Sequence, residues 1–494
     1  MEIFYVLIII GCIHFAFFFF NTIFVTCMHL PYLTFLKRTG LEIQLLRIKW
    51  FTTAFNRCLM KWGLNRSKFW SLWFNAGLVT AVVSIPVSII VILKATKSNL
   101  WPVKSELPSK TEGQVMELII PGVDIPFNQM GYYVLSLLFS SVTHELGHAM
   151  AAVRDDVRFF GMGMIIFFIV PIAFININNE QLKSLPAKNQ LRILCAGVWH
   201  NIVLAVVAII FMGVVNFCFA PFFRRDYGVY VKDISTSSSL SGPSGLLVGD
   251  VINKINDCNV RNSTNWRTCI FQATQLSTPG YCVTDKMVKA IDKSTPTQDT
   301  NGIYDCCEQP NKDKGYLCFQ HLDGFDQASK FSKHFCLPTR TIVESSHSTC
   351  QNTDQCLITN DICIKPTLDD RTKIVRIQRY GHKDVLFFGS PSEIYYSVDL
   401  SDWIPRFSFI TPFFPESIML LCKYVSVFSS GLAIINVIPC FYFDGQYIAI
   451  LLIDTLLKNK IHQQSVRAMI SFVITSIFTL LLAINLFYVY INRL

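Results

Sequence analysis

Long apolar runs alternate along this chain with short basic or turn-rich stretches. Residues 3–27 are almost wholly apolar, with Phe15 and then Phe17, Phe18, Phe19 and Phe20 at their centre. Residues 72–93, 130–153 and 191–217 follow, and residues 418–438, 442–457 and 471–491 close the chain. A helix of about 20 apolar residues spans the hydrocarbon of a bilayer. The pattern therefore predicts a polytopic α-helical membrane protein. Two regions depart from it. Residues 157–175 mix aromatic and β-branched side chains with Gly161, Gly163 and Pro171, which predicts strands or a hairpin at the membrane edge. Residues 115–120, inside the polar stretch 96–129, also read as a strand. The second region, residues 230–403, is a large polar block with strand-like segments at 373–377 and 394–398.

Composition strengthens this picture. Of 494 residues, 51% are hydrophobic and 16% charged, against roughly 25% charged in a soluble domain. The net charge of +9 comes largely from basic clusters beside apolar runs. Residues 37–68 hold eight basic side chains and one acid, Glu42, which places them on the cytosolic side by the positive-inside rule. No interleaving of aromatic and basic residues points to nucleic acid. The run 3–27 is too long for a signal peptide and lacks a small-residue cleavage site, so it is expected to be a retained anchor.

Ten of the seventeen cysteines lie between Cys258 and Cys363. An even number in a polar region predicts disulfides in an oxidising lumen, and the sequon at Asn262 is a glycosylation candidate for the same side. The start of the block, residues 241–252, carries a Gly-Leu…Gly-Asp-x-Ile pattern similar to that of PDZ domains, with the cysteine-rich stretch, about 258–363, as an insertion. The expected organisation is an N-terminal anchor and basic segment (1–71), one half of a membrane core (72–228), a luminal PDZ-like α/β domain with its insertion (229–403), and the other half of the core (404–494). Membrane-associated β-segments complete the fold class.

Residues 130–153 contain a single charged side chain, Glu145, in His144-Glu145-Leu146-Gly147-His148. Two imidazoles and a carboxylate in a spanning segment are costly unless partnered. His144 and His148 stand at i and i+4, on one helix face. A zinc ion would resolve the cost, with Glu145 handling the proton of a water. A catalytic zinc site needs a third ligand. Asp444, in Asn436-Val437-Ile438-Pro439-Cys440-Phe441-Tyr442-Phe443-Asp444-Gly445, is the candidate, with Cys440 as its rival. If residues 37–68 are cytosolic and 157–175 do not cross, both polar clusters fall at one membrane depth near the cytosolic side. Asn201 and Asn436, in apolar segments, are candidates for oxyanion stabilisation or substrate binding, or equally for interhelical hydrogen bonds. His200 is expected to be structural.

The two clusters, with Cys195-Ala196-Gly197-Val198-Trp199-His200-Asn201 and the interrupted PDZ-like block, resemble the site-2 proteases, intramembrane zinc metalloproteases. The resemblance spans roughly residues 116–450, with Phe443 where that family usually has Leu. It implies His144, His148 and Asp444 as ligands of one Zn²⁺ and Glu145 as the catalytic residue. It also implies residence in the Golgi or endoplasmic reticulum membrane. The implied partners are membrane-anchored transcription factor precursors, precleaved on the luminal side by site-1 protease. Their cytosolic fragments are released in sterol and unfolded-protein responses. The PDZ-like block would act as a size filter. Rival readings are a membrane metal transporter, for which an internal repeat is missing, and an inactive PDZ scaffold, against which Glu145 and Asp444 both stand.

Overall fold

The structure is a computed structural model that describes residues 2–100 and 126–491, apart from 237, 243–244, 296–297, 301–302, 323–333, 347, 353, 357–360 and 370. The strand expected at residues 115–120 lies outside the described residues. The chain forms two compact units, one of Met1–Phe217 with Ser417–Leu494 and one of Cys218–Glu416.

The first unit is helical around a small sheet. Its helices are α1 (Glu2–Cys27), α2 (His29–Thr39), α3 (Asn56–Leu64), α4 (Ser67–Leu100), α5 (Met130–Arg154), α6 (Asn179–Ser184), α7 (Ala187–Phe219), α8 (Phe413–Val437), α9 (Asp444–Leu457) and α10 (Gln464–Ile491). Five of them, α1, α4, α7, α8 and α10, are long and apolar enough to cross a membrane; the chain is thus organised as a multi-pass membrane protein. The α4 helix runs through Pro86 without interruption. The α9 helix has 14 residues, about 21 Å at 1.5 Å per residue, too short to span.

The α5 helix is the centre of this unit. From Gly147 to Val153 every residue is buried, the signature of a helix enclosed on all sides. Small side chains make that possible: Ala149, Ala151 and Ala152 pack with Leu59, Phe74, Ile193 and Ala196 in one core. The outer half of α5 meets α8 through polar contacts, Tyr132 Oη to Ser417 Oγ and Ser140 Oγ with Ser429 Oγ, both 2.8 Å.

The segment at residues 157–175 forms the expected hairpin, β3 (Phe159–Phe167) and β4 (Val170–Ile177). Sequence reading missed its partners. Within the basic segment lies a second hairpin, β1 (Leu41–Gln44) and β2 (Arg47–Thr52), and β2 pairs with β3 from Arg47↔Phe167 to Thr52↔Met162. The result is one four-stranded antiparallel sheet in the order β1-β2-β3-β4. Its β4 edge lies along α5: Ala173 N donates to Ser141 Oγ at 2.7 Å. Lys49 and Glu42 face one another across β1 and β2.

Among its described residues the second unit contains two larger sheets and two two-stranded ribbons, Gln298–Thr300 with Ile303–Asp305 and Phe223–Arg224 with Ile404–Pro405. A six-stranded sheet joins Val385–Gly389, Lys373–Arg379, Val251–Ile255, Val229–Ile234 and Val398–Ser401 in that order, with Cys258–Asn259 pairing onto Val251–Ile255. Its core holds Val231, Ile252, Trp266, Ile377 and Phe387. The strand expected over 394–398 is instead a helix, Pro391–Ser397, and the strand starts at Val398. Pro391 explains the difference, since its fixed φ suits a helix's first turn and it cannot donate to a ladder. The second sheet has five strands, His334–Pro338, Tyr316–His321, Ile362–Pro366, Gly280–Val283 and Thr349–Cys350. All ten cysteines of the 258–363 stretch are paired, as Cys258–Cys269, Cys282–Cys356, Cys306–Cys318, Cys307–Cys336 and Cys350–Cys363.

Candidate metal centre

The α5 helix presents His144 and His148 from successive turns, with ring centroids 4.8 Å apart. Asp444 reaches them from the first residue of α9. The chain turns sharply there: Cys440 N bonds Ile438 O at 2.7 Å, and Tyr442 adopts φ +71° with its N–H on Gln446 Oε1. This turn ends α8 at Val437 and carries the carboxylate back to the histidines. His144 Nε2 lies 2.9 Å and His148 Nε2 3.1 Å from Asp444 Oδ2, and the two Nε2 atoms are 3.2 Å apart.

These three atoms form a triangle with nearly equal sides, and the chemistry of the donor set fits a metal ion. Around zinc, with metal–nitrogen bonds of about 2.0–2.1 Å, the edges of a tetrahedron measure about 3.3 Å. The second bond of each ring tests the fit further. His148 Nδ1 meets the carbonyl of Ile193 at 2.8 Å. A carbonyl only accepts, so Nδ1 carries the proton and a neutral ring presents a lone pair at Nε2. His144 Nδ1 lies 3.2 Å from Asn201 Nδ2, while Asn201 Oδ1 is buried without a hydrogen-bond partner among the described residues. Turning the amide over lets Oδ1 accept from Nδ1–H. That one change satisfies the orphaned oxygen and leaves the His144 Nε2 lone pair facing the other two donors.

The space for the cluster exists because α7 carries Gly197. A Cβ there would lie 2.3 Å from His148 Nε2 and 2.7 Å from His144 Nε2. Glu145 lies within electrostatic reach of both imidazoles, of Asp444 and of the Ile175 amide. Ser141, one helical turn before Glu145, accepts from the Ala173 amide on the edge strand β4. Asp444 keeps 21% of its side chain exposed, so the cluster opens on that side.

The remaining candidates are placed as follows. Asn201 is fully buried and touches His144 rather than open space. Asn436 is buried in the last turn of α8. Cys440 lies outside the cluster, packed with Ile92, Ile438 and Leu482. His200 accepts from Trp73 Nε1 at 3.1 Å and stacks on Phe74, a structural setting. In the second unit, Asn262 caps the helix Ser263–Gln275 through Asn265 N. A further group of metal-type donors, Cys282, Cys350 and Cys356, is taken up by disulfides. Sequence reasoning missed Gly197, Ser141 and the Ile193 carbonyl. A glycine in the middle of an apolar helix, where it costs about 1 kcal/mol relative to Ala, was the available signal for the first.

The chain is 29% identical over 213 residues to a membrane-bound transcription factor site-2 protease homolog of Arabidopsis thaliana. The match covers 43% of this chain and spans 40% of that relative's own length. The model of peptidase family M50 matches residues 132–379, which include His144, Glu145 and His148 of α5 and end before Asp444, and the chain belongs to that family.

Proposed function

We propose that the chain is an intramembrane zinc metalloprotease of the site-2 type. The observation that carries this reading is the convergence of His144 Nε2, His148 Nε2 and Asp444 Oδ2 within 3.2 Å of one another, against Gly197 of α7, one of the five helices long and apolar enough to cross a membrane. In this reading the three side chains hold the ion, which supplies Lewis acidity toward water and toward the scissile carbonyl. The Ile193 carbonyl and Asn201 fix the rings through their Nδ1 atoms, so both Nε2 atoms stay available. Glu145 accepts a proton from the attacking water and passes it to the leaving amine.

A helical substrate has its amides shielded by its own hydrogen bonds, so it must unwind to be cut. The edge of β4, beside Glu145, offers a template for an extended chain. Substrate pairing there would displace Ser141 from the Ala173 amide, one helical turn from Glu145. The expected substrates, by analogy with the named relative, are membrane-anchored transcription factor precursors, single helices already shortened on the luminal side. The disulfide-rich second unit suits an oxidising lumen of the Golgi or endoplasmic reticulum, and its PDZ-like sheet would exclude precursors with intact ectodomains.

Cleavage of a short-ectodomain reporter in membranes tests the proposal against a transporter or scaffold. Glu145→Gln is expected to retain metal and lose cleavage by about 10²–10⁴-fold, the usual worth of a general base. Undiminished cleavage by that variant would remove Glu145 from the mechanism.

A further inference from the structure

The N-terminal helix α1 has no part in the metal centre, yet one of its side chains is out of character. Among the described residues of α1 only His14 is buried, at 5% exposure, while its apolar neighbours Ile13 and Phe15 are about half exposed, at 49% and 58%. Asn21 and Phe24 of α1 also contact Tyr32 on α2, and the buried imidazole marks a second place where α1 meets the rest of its unit.

His14 Nε2 lies 2.8 Å from the carbonyl of Phe168, and its ring stacks on the Phe168 ring at 6.2 Å and 14°. The carbonyl only accepts, so Nε2 carries the proton. Phe168 is in the tight turn between β3 and β4, with φ +57°, and its N–H donates to Leu46 O in the turn between β1 and β2, where Leu46 has φ +60°. The two turns of the four-stranded sheet are thus tied together at Phe168, and His14 closes the tie from α1. Both partners need it. A carbonyl left without a donor in a nonaqueous setting costs several kcal/mol, and so does an imidazole without a partner.

The tip of this hairpin and the centre are linked by one strand. From Phe168 the chain turns into β4, whose Ala173 amide donates to Ser141 on α5, one helical turn before Glu145, and whose Ile175 amide lies within electrostatic reach of Glu145. The strand from Val170 to Ile175, about 17 Å at 3.4 Å per residue, separates the pinned turn from Ile175. A displacement of the tip swings or slides that edge relative to Glu145.

We infer that α1 is a docking strut for the membrane sheet and that His14 is a positioning residue, which holds the β4 edge in register with Glu145 through the Phe168 carbonyl. The part concerning catalysis rests on the protease reading above; the part concerning the sheet does not. The test uses the full chain in membranes or detergent, with His14→Phe and His14→Gln. The first keeps the ring stack and an apolar, insertable helix while removing the donor; the second restores a donor. His14→Phe is expected to speed hydrogen exchange in residues 170–177 by about tenfold or more and to lower kcat/KM on the reporter by a similar factor, with metal content unchanged. His14→Gln is expected to recover most of both. Wild-type exchange in His14→Phe, or equal loss in the two variants, would overturn the inference. If the wild-type chain cleaves nothing, the protease reading falls, and exchange across β4 still decides whether His14 pins the sheet.

Discussion

Replacing Gly197 by Ala isolates the metal centre from the stability of the fold. The added Cβ would stand 2.3 Å from His148 Nε2 and 2.7 Å from both Cε1 and Nε2 of His144. Ordinary carbon contacts lie at about 3.5–4.0 Å, so the rings must retreat by roughly 1 Å. Metal–ligand bonds tolerate about 0.2 Å. Retreat is hindered on the far side, because His148 is bonded to Ile193 O and His144 to Asn201. The cost to the fold is smaller. Overpacking costs about 1–3 kcal/mol, and a helix-interior Gly→Ala change returns about 1 kcal/mol, leaving a net loss of about 0–2 kcal/mol. Metal affinity should fall by more than the roughly 10–100-fold seen when an outer-shell partner is lost, since two ligands are displaced directly. Gly213 supplies the control: it lies in the same helix, and a Cβ there meets nothing within 4 Å. Metal content by mass spectrometry and thermal unfolding of detergent-purified protein should show Gly197→Ala folded and metal-free, and Gly213→Ala folded and loaded. A Gly197→Ala protein with one bound zinc and normal cleavage would refute the placement of the ion between these three side chains.

Two more outcomes follow from particular contacts. Asp444→Ala should lose bound metal, whereas Cys440→Ala should keep it, because the Cys440 side chain packs with Ile92 and Leu482 outside the cluster; metal retention by Asp444→Ala with loss in Cys440→Ala would exchange their roles. In the second unit, Cys282–Cys356 closes 74 residues and Cys258–Cys269 closes 11. The loop-entropy relation gives about 4 and about 3 kcal/mol respectively, so the double Ser variant of the first pair should unfold at the lower denaturant concentration, and the reverse order would contradict it.

How much of this could be read from the sequence depends on which side chains are costly where they stand. His144, Glu145, His148 and Asp444 were legible because ionisable groups within or between apolar runs demand an explanation. The motif's helix was legible for a related reason: residues 130–153 are mostly apolar, free of Pro, and carry the two histidines at i and i+4. The β1–β2 hairpin carries neither signal. Its residues 41–52 are short, mixed and charged, and what makes them strands is the edge of β3, more than a hundred residues further along, which no local pattern contains. The role of Asn201 was open for the same reason. An amide in an apolar helix signals a partner without saying which one, and only packing of α7 on α5 sets it against His144 rather than the substrate. His14 extends this argument to the end of the chain. Its cost as a lone imidazole in an apolar run was on view from the start, like that of His144, but a single residue gives no spacing from which to infer a partner. The partner is a main-chain carbonyl, which has no sequence signature at all. Positions that bind backbone atoms are therefore the ones that sequence reading alone will keep missing in this fold, and the Ile193 carbonyl behind His148 is the second example.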